Sequence, residues 1–258
     1  MPAIRVAAVG DIHAGADPES AARLGDGFAT LADHADLLLL AGDLTRCGHP
    51  DEAAIVAESV GRTGVPTAAV LGNHDLHGDR GDEVVAVLER AGVAVLEGRG
   101  VTFDVAGHRV GVAGVNGFGG GFAGACVSVF GEPETKAFAR HAVEVADRLA
   151  TALDEIDGAD PRLVLLHYSP VRETLQGEPL EIYPFLGSYL LAEAIDAAGA
   201  DLVVHGHAHR GSPQGTTPGG VRVRNVAQPV IRAAYRVFDL HPDEPLVASH
   251  TSRLEGSP

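Results

Sequence analysis

Short apolar runs recur in the early part of the chain, and each stops at a polar cluster led by glycine. Ile4–Val9 ends at Gly10-Asp11, Leu37–Ala41 ends at Gly42-Asp43, and residues 67–71 end at Gly72-Asn73-His74-Asp75. Brief apolar runs closed by turn signals predict buried strands. Between them, residues 18–34, 50–62 and 82–91 carry amphipathic patterns that predict helices. The alternation predicts βαβ units and a largely parallel sheet.

Beyond Val93 the pattern changes. Residues 101–105 and 109–115 read as strands joined tightly through Ala106-Gly107-His108, followed by a glycine-rich loop at 116–124. A long helix is predicted at 134–156, then a strand at 163–166 that ends on His167. Residues 169–187 contain three prolines and little periodicity, which predicts a surface excursion. A helix at 188–198 and a strand at 201–204 follow, the latter ended by His205-Gly206-His207-Ala208-His209. Residues 221–226 and 234–240 read as closing strands, and 242–258 as a loose tail. With no internal repeat or linker, the expectation is one domain over 3–241, an α/β sandwich with mixed sheets.

The polar residues that follow these strands are the informative feature. Asp11 and His13, Asp43, Asn73 and His74, His167, and His207 and His209 stand just past five different predicted strand ends. Ligands of open α/β sheets bind beyond the carboxyl ends of strands, so residues far apart in sequence can converge there. A single Asp or His in such a place reads first as a turn former or a helix cap. Together, imidazole nitrogen with carboxylate and amide oxygen make a donor set suited to divalent transition metals. The i, i+2 spacing in Asp11-Ile12-His13 and His207-Ala208-His209 puts both side chains of each pair on one side of an extended strip.

Composition narrows the alternatives. The 258 residues carry 19 Lys+Arg against 35 Asp+Glu, a formal charge of −16, and 45% are hydrophobic. That charge and the lack of a basic run disfavour nucleic acid as a partner. Lys136 is the one lysine, and it follows Glu134-Thr135 rather than a glycine-rich turn, so a Walker phosphate loop is excluded. No G-x-S-x-G occurs, which removes the usual nucleophile elbow. Gly119, Gly121 and Gly124 spell G-x-G-x-x-G, but an extended pattern rather than a helix follows, so this segment reads as a loop and not a dinucleotide site. Cys47 and Cys126 are too few for a disulfide framework, and neither a leader nor an apolar stretch approaching the ~20 residues of a membrane helix is evident, which together predict a cytoplasmic protein.

Asp11-Ile12-His13, Gly42-Asp43, Gly72-Asn73-His74-Asp75, His167 and Gly206-His207-Ala208-His209 resemble, in order, the five blocks of the calcineurin-like metallophosphoesterase superfamily. The resemblance spans about residues 5–240. It implies a four-layer α/β/β/α sandwich of two mixed β-sheets flanked by helices. It also implies two metal ions, Mn2+, Fe2+/Fe3+, Zn2+ or similar, one held by Asp11, His13 and His209 and the other by Asn73, His167 and His207, with Asp43 bridging. His74 is implied as the catalytic proton donor, oriented by Asp75. The reaction it implies is hydrolysis of a small phosphate ester by a metal-bridging hydroxide, the expected substrate being a phosphodiester such as a cyclic nucleotide or nucleotide derivative. A nuclease acting on DNA or RNA ends and a non-catalytic metal-binding scaffold for protein partners are the competing readings. Two ions would bring +4 to the site, so an anionic substrate can be drawn there despite the −16 of the whole.

The remaining candidates read more plainly. His205 is expected as a packed histidine behind the ligands, His77 as a solvated loop residue and Cys47 as a small packed thiol. Arg46 and Arg172 stand nearest the blocks as possible phosphate contacts, although each reads first as an ordinary surface charge. Phe118 in 116–124, and Tyr183 and Phe185 in 169–187, are candidates for the substrate rim.

Overall fold

The computed structural model describes residues 3–241, so the tail expected at 242–258 lies outside the described residues. Strands β1 (Ile4–Val9), β2 (Leu37–Ala41), β3 (Thr67–Val70) and β4 (Ala94–Val95) pair in parallel. Helices α1 (Pro18–Phe28), α2 (Leu31–His34), α3 (Pro50–Gly61), α4 (Asn73–Leu76) and α5 (Gly81–Arg90) occupy their connections. There follow the hairpin β5 (Arg99–Val105) and β6 (His108–Val115), a small hairpin β7 (Gly121–Phe122) and β8 (Ala125–Cys126), and α6 (Pro133–Glu155). The rest comprises β9 (Arg162–Leu166), α7 (Tyr183–Leu186), α8 (Tyr189–Ala198), β10 (Leu202–His205), β11 (Gln214–Thr216), β12 (Arg222–Asn225), α9 (Gln228–Ile231) and β13 (Arg236–Leu240).

Two mixed sheets result, ordered β13-β1-β2-β3-β4 and β11-β12-β10-β9-β6-β5. Their inner strands are parallel, and antiparallel β13, β11 and β5 lie at edges. Alternation of side chains explains why the central strands are apolar throughout. Leu37 and Leu39 face the other sheet, where they meet Leu163, Leu165 and Val204, while Leu38 and Leu40 face Leu24, Phe28, Val56 and Leu88 of the outer helices. A strand covered on both faces needs an unbroken apolar run. The second sheet repeats the arrangement, with Val164, Leu166 and Val203 packed against Leu149 and Leu153 of α6 and Ile195 of α8. The layers are therefore helix, sheet, sheet, helix.

Three local expectations change. Residues 18–34 form two helices rather than one, because the chain turns at Ala29 and Thr30 to bring Leu31 fully into the same cluster as Leu24 and Phe28. The glycine-rich loop holds the β7–β8 hairpin, with Gly121 and Gly124 at positive φ, and no helix opens there. Strand β4 and helix α4 are too short to leave a periodic signal. No helix of the described residues is long and apolar enough to cross a membrane.

Candidate metal centre

Five parallel strands deliver the candidate residues to one end of the sandwich: β1 to Asp11 and His13, β2 to Asp43, β3 to Asn73 and His74, β9 to His167, and β10 to His207 and His209. Four of these residues sit in left-handed backbone, Asp11 at φ 58°, His13 at 47°, Asp43 at 50° and His207 at 67°. Such conformations cost of order 1–3 kcal/mol each and persist where surrounding structure imposes them. Here the loops brace one another: Asp11 N donates to Gly42 O (2.9 Å), His13 N to Asp43 O (3.0 Å) and Gly206 N to His167 O (3.2 Å). Close approach also requires two glycines, since a Cβ on Gly72 would strike the Asp43 carboxylate and one on Gly206 the Asp11 carboxylate.

The converging atoms form two groups. Asp11, His13, Asp43 and His209 offer ligand atoms within 4.8 Å of one another, and so do Asp43, His167 and His207, with Asp43 common to both. Asn73 joins the second group, its Oδ1 lying 3.2 Å from His167 Nε2. His167 Nδ1–H donates to Ala41 O at 2.9 Å, so Nε2 is the ring atom turned inward. It faces Asn73 Oδ1 and, at 3.4 Å, Asp43 Oδ1. An imidazole nitrogen and two oxygens that converge in this way call for a cation. His13 Nε2 makes the same demand, being buried without a hydrogen-bond partner among the described residues and 3.9 Å from Asp43 Oδ2.

Protonation differs across the cluster. His209 Nε2–H donates to Asp11 Oδ1 at 2.8 Å, and this hydrogen bond raises the His209 pKa. Burial acts to raise the Asp11 pKa, but the bond from His209 and the positive field of the neighbouring imidazoles outweigh it and hold the carboxyl below its ordinary value. Burial lowers the His13 pKa and, aided by His167, takes His207 down to about 3. His207 Nε2–H donates to Phe185 O at 3.2 Å, which leaves Nδ1 as its free donor atom. These are deprotonated nitrogens, the form a metal requires.

The sequence matches the family described as calcineurin-like phosphoesterase over residues 4–211. The chain belongs to that family. It is accordingly a metal-dependent phosphoric ester hydrolase. No curated protein matches it by sequence. Among solved structures it is similar to the phosphopantetheinyl hydrolase PptH from Mycobacterium tuberculosis, with a TM-score of 0.69 and 16% identity over 96% of this chain and 99% of that one. It is also similar to a proposed 5′-nucleotidase from Staphylococcus aureus (TM-score 0.53, 17% identity, 98% and 56% covered). GAP50, described as the anchor in the inner membrane complex of Plasmodium, has the same TM-score of 0.53, with 13% identity over 89% and 73%. At these identities the likenesses concern the fold.

In this phosphoesterase one expected contact is absent: Asp75 does not orient the His74 ring. Its fully buried carboxylate accepts instead from Leu44 N (3.1 Å), Thr45 N (2.8 Å), Thr45 Oγ1 (2.6 Å) and Gly72 N (2.8 Å). Asp75 therefore ties the Asp43 loop to the Asn73 loop, while burial raises its pKa. His74 Nδ1–H donates to Arg46 O at 2.8 Å, so a backbone carbonyl orients the ring. His205 is fully buried, as expected; Thr174 Oγ1 lies 2.8 Å from its Nε2 and Ser169 Oγ 2.7 Å farther on, a relay joining β10 to the 169–187 segment. His77 is exposed at the end of α4, and Cys47 is partly buried with its N–H on Glu52. Arg46 pairs loosely with Asp17 at 3.8 Å, and Arg172 lies over the Tyr183 ring.

Two residues escaped the sequence reading. Tyr168 follows His167 and packs its ring 4.3 Å from that of His207; burial pushes its phenol up to about 12. Adjacency to a strand-end histidine was the available signal. Glu97 Oε1 accepts from Leu71 N at 3.0 Å and its carboxylate also accepts from Asn116 N, linking the ends of β3 and β6 across the two sheets. Nothing local in the sequence marks it.

Proposed function

We propose that the enzyme hydrolyses a small phosphodiester, a cyclic nucleotide or nucleotide derivative, with Asp11, His13 and His209 holding one metal ion, Asn73, His167 and His207 the other, and Asp43 both. The observation that carries the reading is the pair of donor clusters meeting at one carboxylate. Two divalent ions, when bound, stabilise the attacking and leaving oxygens of an in-line displacement and acidify water enough to supply hydroxide near neutral pH.

The chain's own contribution at the leaving oxygen is His74. With Nδ1 committed to Arg46 O, its Nε2 faces the centre, 4.0 Å from Asp43 Oδ2, and a proton held there passes to the departing alkoxide. A diester suits the charges around the centre. Arg46 is engaged by Asp17 and Arg172 lies over Tyr183, so the neighbourhood offers weak compensation for a dianionic monoester and enough for a monoanion. The Phe185 side chain is 59% exposed although its carbonyl touches His207, and with the Phe138 ring it meets edge-on it offers an apolar surface for the substrate's organic group.

The test is a panel of bis-p-nitrophenyl phosphate, p-nitrophenyl phosphate and 2′,3′- and 3′,5′-cyclic nucleotides, each with several metals. Diesters are expected to turn over faster than the monoester, and His74→Ala is expected to keep both ions while lowering turnover by about 10²–10⁴-fold. Turnover confined to the monoester would overturn the diester reading, and loss of an ion from His74→Ala would overturn the division between ligand and proton donor.

A further inference from the structure

The open edge where the two sheets face each other holds charges that the phosphoester centre does not use. Side chains alternate between the faces of a strand. In β12, Val223 packs with Leu191 and Ile195 on the helix side, so Arg222 and Arg224 face the gap between the sheets. In β13, Val237 packs on the outer side while Phe238 and Leu240 join the inter-sheet core, so Arg236 faces the same gap. Elsewhere that core is built from Ile, Val, Leu and Ala. Arg224 and Arg236 line a cavity of about 280 Å³ with Gln214, Asn225, Ile231 and Phe238.

Among the described residues these guanidinium groups find little compensation. Arg222 donates to Asp201 O at 3.4 Å and feels the Asp201 charge. Arg224 is half-buried, and among the described residues its side chain donates to the carbonyl of its neighbour Val223 (2.9 Å) and no carboxylate lies within salt-bridge reach of it or of Arg236. Burial lowers the Arg224 pKa, and the charges of Arg222 and Arg236 lower it further. In a chain with 35 acidic and 19 basic residues, two arginines facing each other across a cavity without an acid are out of keeping with the whole. An anion between them would offset both the repulsion and the desolvation.

We propose that this cavity is an anion-binding site, separate from the metal centre, that takes a small organic phosphate. The planar forks of Arg224 and Arg236 match phosphate oxygens, and Ile231 and Phe238 form an apolar wall for the organic group. The volume sits just below the ~300 Å³ lower end of ordinary ligand pockets, room for a phosphate bearing one ring. The cavity backs onto the metal centre. Asn225 Nδ2 donates to Ala208 O at 2.8 Å, between His207 and His209, so an occupant lies one side chain from that loop.

Phenylphosphonate, which has no ester bond to hydrolyse, is the probe, with inorganic phosphate beside it. Calorimetric titration of the metal-loaded full chain is expected to show two binding events, one of them tighter for phenylphosphonate than for phosphate. That event is expected to weaken about 10- to 100-fold in Arg224→Gln/Arg236→Gln, with hydrolysis unchanged. It is expected to survive in Asp43→Asn, where the metal centre is disabled. In phosphate-free buffer the double variant is expected to melt no lower than the parent, since like charges have been removed; the single Arg236→Gln, at an exposed position, repeats the titration with least disturbance of the fold. Binding in the double variant with the parent's stoichiometry and affinity, or no binding in Asp43→Asn, would overturn the proposal.

Discussion

In the proposed centre Asp11, His13 and His209 make one half and Asn73, His167 and His207 the other, and only the first half owns a carboxylate. The difference extends to protons. In the first half His209 holds its proton against Asp11 at 2.8 Å, whereas in the second burial keeps His207 neutral down to about 3 and His167 Nε2 already faces Asn73 and Asp43. An ion entering the first half gains two carboxylates, counting Asp43, but must displace a proton from His209. An ion entering the second finds His207 deprotonated and one carboxylate, the shared one. The first half is therefore expected to hold the harder, tighter-bound ion with a steeper dependence on pH, and the second the more exchangeable one.

Removing the shared charge tests this comparison at its root. Asp43→Asn isolates charge from shape, because asparagine tolerates the left-handed backbone at φ 50° and its Oδ1 can still accept from His74 N, as Asp43 does at 2.8 Å. The second half then has no carboxylate at all. Metal analysis is expected to find the second ion lost and the first depleted, with turnover down by at least about 10³-fold. Retention of both ions would break the assignment of Asp43 as the common ligand.

Acid separates the halves in the metal-free protein. A group with a lowered folded pKa binds its proton more readily when unfolded, so stability falls as pH drops from the unfolded value towards the folded one. His205, fully buried and lowered from 6.5 to about 4, contributes about 3 kcal/mol of such loss across that window. His207 acts in the same direction down to about 3. His209 has the opposite sign: its raised pKa adds stability that is fully present below about 6.5 and lost as pH rises through the folded value. Denaturant midpoints followed from pH 7 to 4 are expected to fall, and His205→Gln to flatten the fall. An unchanged slope in that variant would mean that the buried imidazole is not what acid attacks.

What the sequence disclosed follows the same line between local and long-range causes. The run Leu37–Ala41 announces a strand covered on both faces, and Asp43, His167 and His207 announce themselves because each stands just after such a run. The role of Asp75 was not legible, because its partners Leu44 and Thr45 lie about thirty positions away and two of the three hydrogen bonds they give come from backbone N–H groups, which carry no sequence signature. Glu97 is hidden for the same reason. The break at Ala29 and Thr30 was missed because both halves of 18–34 keep a helical pattern, and burial of Leu31, a tertiary demand, decides where the helix stops.

The smallest expected change bears most directly on why the halves differ. Asn73→Asp alters one atom, gives the second half a carboxylate of its own, and sits at the start of α4, where a negative charge also suits the helix end. Asn73 is exposed and its Oδ1 already faces His167 Nε2, so a carboxylate there needs no rearrangement to serve the same position. If charge sets the asymmetry, chelator titration is expected to show the second ion held about tenfold more tightly and the two release steps drawn together, while the added charge beside an anionic substrate lowers kcat/KM by no more than about tenfold. If the two release steps stay as far apart as in the parent, ligand charge does not govern the difference, and the proton on His209 and the half-buried His207 ring become its causes.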